Sequence, residues 1–336
     1  MTAAEEALFR LAADVAASRT GRRMPPLAAD TRSQPPPSVA VARPQPPVPV
    51  PCGPAPQLEM ATLATSSKGN ATLVRAGSTA VLVDAGISAR RLTEGLRGLG
   101  VEPASLAGIF ITHEHSDHVA GLATFLKRYD VPVYANRATW EALGDIGVTY
   151  ARRRIPLAAE MTVGHLRIQR FATSHDAADP SGFTFCAGRV KGAVCTDLGV
   201  VTKSVASALA GANLLVLEAN HDPDMLRTGP YVGYLKQRIA GPQGHLANAQ
   251  AARLLAWLYR GQALDVIWAH RSATNNDVAK VQDTVIAELA REGISPAQES
   301  IHWQHGRPDG TVRMVVADTV EESETCCERV KIESIL

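Results

Sequence analysis

The sequence predicts an α/β protein in which two β-sheets pack face to face and are sheathed by helices. Three observations carry that expectation. From Leu58 onward a strand-rich opening gives way to apolar strands alternating with amphipathic helices. The strands are near-continuous Val, Leu, Ile and Ala runs, as expected where helices cover a sheet. Aromatic residues make up only 5% of the 336 residues against 46% hydrophobic overall, so aliphatic side chains must fill the core. Packed sheets with helices outside are one of the few layer arrangements that bury all these faces.

Taken in order, residues 1–57 stand apart, because 12 of the 21 prolines fall between Pro25 and Pro56. Such a stretch supports neither helix nor ladder and predicts an extended or disordered extension. Within it a short helix is expected over Ala3–Ala17, where Leu8, Leu11, Ala12 and Val15 share a face. The domain proper spans 58–318. Its expected strands are Met60–Thr65, Ala71–Arg75, Ala80–Asp84, Gly108–Thr112, Leu166–Ala172, Phe183–Phe185, Gly192–Thr196, Leu214–Glu218 and Val266–Ala269. Its expected helices are Ala89–Leu99, Asp117–Tyr129, Ala138–Leu143, Ser204–Ala210, Ala247–Tyr259 and Asn276–Glu292. Residues 319–336, with Glu321, Glu322, Glu324 and the Cys326-Cys327 pair, read as a polar tail.

Composition excludes several function classes. A net charge of +1 supplies no global basic field, so attraction to nucleic acid requires a local patch. The five cysteines are odd in number and show no CxxC spacing, which fits a reducing compartment. Glu5, Glu6, Arg10 and Asp14 interrupt the N-terminal region where a signal peptide needs a basic start and an apolar run. No stretch approaches the roughly 18 apolar residues of a membrane span. The expectation is a cytoplasmic protein with no membrane partner.

The chemistry concentrates in Thr112-His113-Glu114-His115-Ser116-Asp117-His118, directly after the apolar run Ile109–Ile111. His113 and His115, two positions apart on an extended loop, project to the same side and can reach one ion. Asp117 and His118 stand at a helix entrance, where they can turn toward a second ion. Burying four such groups without partners would cost a few kcal/mol each, which argues for a metal cage over a core role.

This HxHxDH run resembles the metallo-β-lactamase superfamily without a substitution. The resemblance implies an αββα sandwich of two mixed β-sheets flanked by helices, holding two divalent metal ions, zinc or manganese. It further implies that His175 completes the first metal site, that Asp197 bridges both ions, and that His270 completes the second. Asp84, at the end of Val81-Leu82-Val83, matches an early aspartate expected to hydrogen-bond the metal loop. Diiron members replace the second histidine by an acid; position 115 is His, which favours hydrolysis over redox chemistry. Two ions sharing Asp197 would lower the pKa of a bridging water, making hydroxide the nucleophile, with Asp117 orienting it.

Residues 58 to about 303 are similar to the YycJ (WalJ) group of this superfamily, which implies a DNA exonuclease linked to repair. The matching segments are Ser66-Ser67-Lys68-Gly69-Asn70, Thr112 to Gly121, Ser174 to Pro180, Thr196-Asp197-Leu198-Gly199, Leu217 to Asp222 and Gly244 to Asn248. His245, in an arrangement similar to the His-Ser-Thr segment of ribonuclease Z, is expected to donate a proton to the leaving oxygen or grip a phosphate; its alternative is a helix cap. His221, Ser272, Asn275 and Asn276 are candidate substrate contacts, with Asn276 equally readable as an N-cap and His221 also readable as a hydrogen-bond partner of a metal ligand or as part of a structural loop. Arg152-Arg153-Arg154 reads as a surface run able to contact a nucleic-acid backbone, or as a solvated face. His165, His302 and His305 read as surface residues. The competing enzyme reading is hydrolysis of a small thioester, lactone or cyclic phosphodiester on the same cage, which calls for a closed pocket; a non-catalytic scaffold would have no need of seven ordered ligand candidates.

Overall fold

Alternation along the strands sets the layers. The computed structural model describes residues 57–295 and 300–317. The first half of the chain supplies β1 (Gln57–Ala64), β2 (Ala71–Ala76), β3 (Thr79–Val83), α1 (Ala89–Gly98), β4 (Gly108–Phe110), α2 (Ser116–Val119), α3 (Leu122–Leu126), β5 (Val133–Ala135), α4 (Arg137–Ala142), α5 (Asp145–Thr149) and β6 (Arg154–Pro156). The second half supplies β7 (Glu160–Val163), β8 (Leu166–Ala172), β9 (Ser181–Ala187), β10 (Val190–Cys195), α6 (Lys203–Leu209), β11 (Leu214–Glu218), α7 (Pro223–Thr228), α8 (Gly233–Ala240), α9 (Asn248–Leu258), β12 (Leu264–Ala269), α10 (Val278–Arg291), β13 (Ile301–His305) and β14 (Val312–Ala317). Among the described residues these strands form two seven-stranded sheets, ordered β14-β1-β2-β3-β4-β5-β6 and β13-β12-β11-β10-β9-β8-β7.

Both sheets are mixed. The first is antiparallel from β14 to β3 and parallel from β3 to β6. In the second, β10 to β13 run parallel, while β9 runs against both β10 and β8. Successive side chains of β2 and β11 point to opposite faces. Leu73 packs with Leu92, Leu96 and Phe125 of the helices, whereas Val74 faces the other sheet among Met60, Phe183 and Phe185. Likewise Leu215 and Leu217 meet the second helix layer, and Leu214 and Val216 meet the first sheet. The central strands of both sheets are therefore buried on both faces, and each fully buried Leu or Phe contributes about 1.5–3 kcal/mol. Phe110 stacks on Tyr134 at 4.4 Å and meets Phe183 edge-on at 5.6 Å, fixing the end of β4 between the sheets.

Some expectations are revised. The helix expected over Asp117–Tyr129 divides into α2 and α3. The carbonyl of Asp117 accepts from Asn70 N, that of His118 accepts from Ala85 N, and Gly121 N donates to Ala85 O, which breaks the helical ladder. Helix α10 is capped by Asp277, whose side chain accepts from Lys280 N, so Asn276 is not its cap. Strands β5, β6, β7, β13 and β14 and helices α5, α7 and α8 are additional to the sequence reading. The Pro-rich extension, the Ala3–Ala17 helix and the polar tail lie outside the described residues. Among the described residues no helix is long and apolar enough to cross a membrane.

Candidate metal centre

Parallel strands release their side chains at a common edge. Strands β3, β4, β8, β10, β11 and β12 all finish there, giving Asp84, the His113 loop, His175, Asp197, Glu218 and His270. The chain must turn sharply to aim three of these inward. Asp84 (φ 62°), Asp197 (φ 59°) and His270 (φ 50°) are the non-glycine residues with positive φ among the described residues. Such backbone costs of order 1–3 kcal/mol each and persists where surrounding structure holds it. The loops above these ends touch through glycine. A Cβ on Gly86 would lie 1.6 Å from Asp117 O, and one on Gly121 would lie 1.9 Å from Ile87 O.

The donor atoms form overlapping groups, each within 4.8 Å of one another: His113 with His115 and His175, His113 with His118 and Asp197, and Asp117 with His118 and His270. Asp197 lies between them. Its Oδ2 is 3.3 Å from His118 Nε2, and its Oδ1 is 3.4 Å from His270 Nε2 and 3.7 Å from His175 Nε2. Asp117 Oδ2 is 3.4 Å from His118 Nε2 and 3.2 Å from His270 Nε2. These spacings match the edges of a tetrahedron with metal–ligand bonds of about 2.0–2.1 Å, roughly 3.3–3.4 Å. His113 Nε2 and Asp197 Oδ2 are buried with no hydrogen-bond partner. Orphaned polar atoms of this kind carry a desolvation cost that a cation would remove. The donor set of imidazoles and carboxylates fits divalent zinc or manganese.

The far sides of the His113, His118, His175 and His270 rings are also held. His118 Nδ1 donates to Asp84 Oδ2 at 2.7 Å, and Asp84 accepts from both N and Oγ1 of Thr112. Thr112 Oγ1 stands 3.0 Å from His113 Nδ1. His175 Nδ1 donates to Gly244 O at 3.0 Å, and His270 Nδ1 donates to Glu218 Oε1 at 3.0 Å. Asn70 Nδ2 lies 3.3 Å from His118 Nε2 and 3.4 Å from Asp117 Oδ2. Such partners orient rings and fix tautomers.

The enclosed charges shift one another. Burial opposes charge on His118, but Asp197 and Asp84 overcome it and raise its pKa well above the ordinary value. His270 behaves likewise: burial is outweighed by Asp197, Asp117 and Glu218, which bring it to about 10. His113 lacks that surplus, and burial beside His118 lowers it well below the usual range. Asp197 stays ionised against its own burial because His270 and His118 face it.

A cleft of about 220 Å³ opens over the centre, with His115, His175, His245 and Ser272 among its walls. His245 Nδ1 donates to Glu218 Oε1 at 2.8 Å, and its ring lies 4.9 Å from that of His175 and 5.1 Å from that of His270. The helix-cap alternative for His245 is not realised, since Ala247 occupies the cap position of α9. Three expected substrate contacts are corrected, because none of them lines the cleft. His221 is buried and pairs through its backbone with Ala247 and Asn248. Asn275 is fully buried, and Asn276 spends its amide on Ala219 O and Asn248. The arginine run is structural for two of its members. Arg153 donates to the carbonyls of Leu126 and Tyr129, and Arg154 lies over the Trp140 ring. His165 and His302 are exposed, but His305 is half-buried with both ring nitrogens enclosed and unpartnered. Glu218, Asn70, Tyr231 and Arg238 belong to the site without having been singled out. A buried acid closing the apolar run Leu214–Leu217 was the available signal for Glu218.

The beta-lactamase superfamily domain matches residues 79–266. The chain is 35% identical over 246 residues to a protein of Bacillus anthracis named exodeoxyribonuclease YycJ, covering 72% of this chain and 89% of that one. It is 33% identical over 234 residues to exodeoxyribonuclease WalJ of Streptococcus pneumoniae, covering 68% and 87%. Among solved structures, the metallo-beta-lactamase fold protein YhfI from Bacillus subtilis superposes with a TM-score of 0.57 at 15% identity, covering 77% of this chain and all of that one.

Proposed function

Since the chain belongs to the metallo-β-lactamase superfamily, in its YycJ/WalJ group, we propose that it is a hydrolase of phosphodiester bonds, and specifically a two-metal DNA exonuclease of the cytoplasm linked to DNA repair. The observation that carries this reading is the donor set meeting at Asp197 beneath an open cleft. In it His113, His115 and His175 would hold one divalent ion and Asp117, His118 and His270 a second, with Asp197 within reach of both groups. Bound there, divalent ions would supply an acidified water and polarise the phosphoryl group.

The chain's own residues supply the rest. Asp117 is partly exposed at the cleft and accepts a hydrogen bond from the attacking water. His245 has its Nδ1 engaged by Glu218, so Nε2 is the atom that passes a proton to the leaving oxygen. Ser272, at the cleft wall, offers its hydroxyl to a phosphate oxygen. Asp84 and Glu218 keep the imidazoles aimed inward and act only through them.

The second reading, hydrolysis of a small thioester, lactone or cyclic phosphodiester on the same cage, calls for a closed pocket, whereas this cleft is open. End-labelled single- and double-stranded DNA and RNA, incubated with the purified protein in manganese and in zinc, separate the two. Metal-dependent release of nucleotides from DNA ends is expected, abolished in Asp197→Ala and His113→Ala variants that keep the wild-type circular dichroism. Intact DNA with both metals would sink the exonuclease reading.

A further inference from the structure

Three loops beside His270 carry cations that no carboxylate opposes. The turn after β1 places Ser67 at the cleft wall and Lys68 next to it, both exposed. The chain leaving β12 sets Arg271 between His270 and the cleft-wall Ser272. The loop from β13 to β14 carries the exposed Arg307. Thr65 draws the three loops together. Its N–H donates to Arg307 O at 2.8 Å, and its Oγ1 accepts from His270 N at 2.8 Å. Gly306 N donates to Trp268 O, and a Cβ on Gly306 would lie 2.2 Å from Thr65 Cγ2, so the approach of β13 to β1 needs glycine there. The Lys68 turn is closed by Gly69 N on Ser66 O and by Asn70 Nδ2 on the same carbonyl. The charge of Arg271 reaches His305 at the end of β13, whose pKa is lowered first by burial and then by that guanidinium.

Among the described residues Lys68, Arg271 and Arg307 make no ion pair. The arginines of α7 and α8 differ: Arg227 is paired with Asp224 and Arg238 with Asp176. Arg91 of α1 adds a fourth cation to the group, donating Nη2 to Pro308 O at 2.7 Å, a bond that leaves its charge uncompensated. Residues 65–70, 270–274 and 305–310 contain a single acid, Asp309. With a net charge of only +1 on the whole chain, this is a local excess. A small ester held in the cleft has no use for cations outside it. A nucleic-acid strand with one phosphate at the centre carries its neighbouring phosphates out over the rim, one charge per nucleotide. We propose that Lys68, Arg271 and Arg307 form a phosphate track, which holds the backbone of a nucleic-acid substrate where it leaves the cleft past His270. Contacts of this kind position a strand without reading its bases. The assignment rests on the nuclease reading above and adds to it the course of the substrate backbone. It makes no demand on base pairing, because phosphates face outward in paired and unpaired strands alike.

Fluorescence anisotropy of the full-length protein with manganese present tests the track, using dye-labelled phosphorothioate DNA that resists hydrolysis. Each phosphate neutralised contributes about 0.9 to the slope of log affinity against log salt on a duplex and about 0.7 on a single strand. Lys68→Gln, Arg271→Gln and Arg307→Gln should each lower the slope by about that amount and weaken binding about threefold to tenfold. Arg307→Lys should keep both at the wild-type level. Lys68 and Arg307 are exposed, so their substitutions read binding without disturbing the core. Arg260→Gln removes an exposed cation at the opposite end of β12 and should leave the slope unchanged. A strand of the same bases on a neutral methylphosphonate backbone should bind wild type and variants alike. Wild-type slopes in the three glutamine variants, an equal fall in Arg260→Gln, or a loss of affinity that persists on the methylphosphonate strand overturns the assignment. Because these strands are not cut, reduced slopes in a protein that leaves ordinary DNA intact would keep the track and sink the nuclease reading alone.

Discussion

Glu218 gathers four donors on two oxygens. Oε1 accepts from Nδ1 of His245 and of His270, and Oε2 accepts from the backbone N–H groups of Leu198 and Leu246. Burial works against its charge, but the facing imidazoles His245 and His270 hold its pKa down at about 2. In Glu218→Gln the amide must turn its NH₂ toward at least one pair of donors. We expect a stability loss of about 2–4 kcal/mol and a fall in kcat of about a hundredfold, read by urea unfolding and by steady-state kinetics. His221 gives the opposite lesson. Burial lowers its pKa to about 4 from an ordinary 6.5, with Glu218 only partly offsetting the effect. Above pH 6.5 the ring is neutral whether folded or not. As pH falls toward 4 the unfolded chain takes up a proton that the folded chain refuses, so stability declines across that window. Between pH 7 and 5 the wild type should lose about 2 kcal/mol more than His221→Asn, measured by denaturant unfolding. At this scale residue spacing alone reached the donors that cluster, while the isolated Asp84, His175, Asp197 and His270 were reached only through the family resemblance. Four donors within six positions announce His113 to His118, whereas Glu218 offers only the weaker signal of an acid closing an apolar run, and Asn70 reads as an ordinary loop amide.

At the level of elements, the readable strands carry either a largely apolar run or, as in β8, a clean alternation of buried and exposed residues. Strands β2, β3, β10 and β11 are largely apolar, and their limits differ from expectation by two residues or fewer. Strand β6 contains Arg154 and Pro156 at a sheet edge, β7 is half-exposed, and β13 has only Ile301 and Trp303 as apolar residues, so each is too short or too polar to stand out. Helix α8 was invisible for a related reason: it has no core-facing stripe to create a period. The break between α2 and α3 depends on a contact far away in sequence, the approach of the Gly86 loop to Asp117. A methyl group at Gly86 has to displace the Asp117 carbonyl. Gly86→Ala should therefore lower stability by about 3 kcal/mol or more and reduce metal retention. Calorimetry and elemental analysis of the dialysed protein check both outcomes.

For the molecule as a whole, the centre lies where the two sheets converge, and its ligand candidates come from both. His113, His115, Asp117 and His118 follow β4 of the first sheet, while His175, Asp197 and His270 close strands of the second. Ions bridging these groups would clamp one sheet to the other, so chelation should lower the melting temperature and added manganese or zinc should restore it. At free metal about 100-fold above Kd the stabilisation is about 2.7 kcal/mol. The same shift should be absent from Asp197→Ala, as differential scanning fluorimetry would report. A separate consequence follows from the register of β14, in which Ala317 sits opposite Gln57. The backbone thus enters and leaves the sandwich side by side, some 25 Å along β1 from the Ser67 turn at the cleft. A short linker across that pair, with new ends opened at the exposed Gly100 turn, would give a circular permutant in which every strand keeps its neighbours.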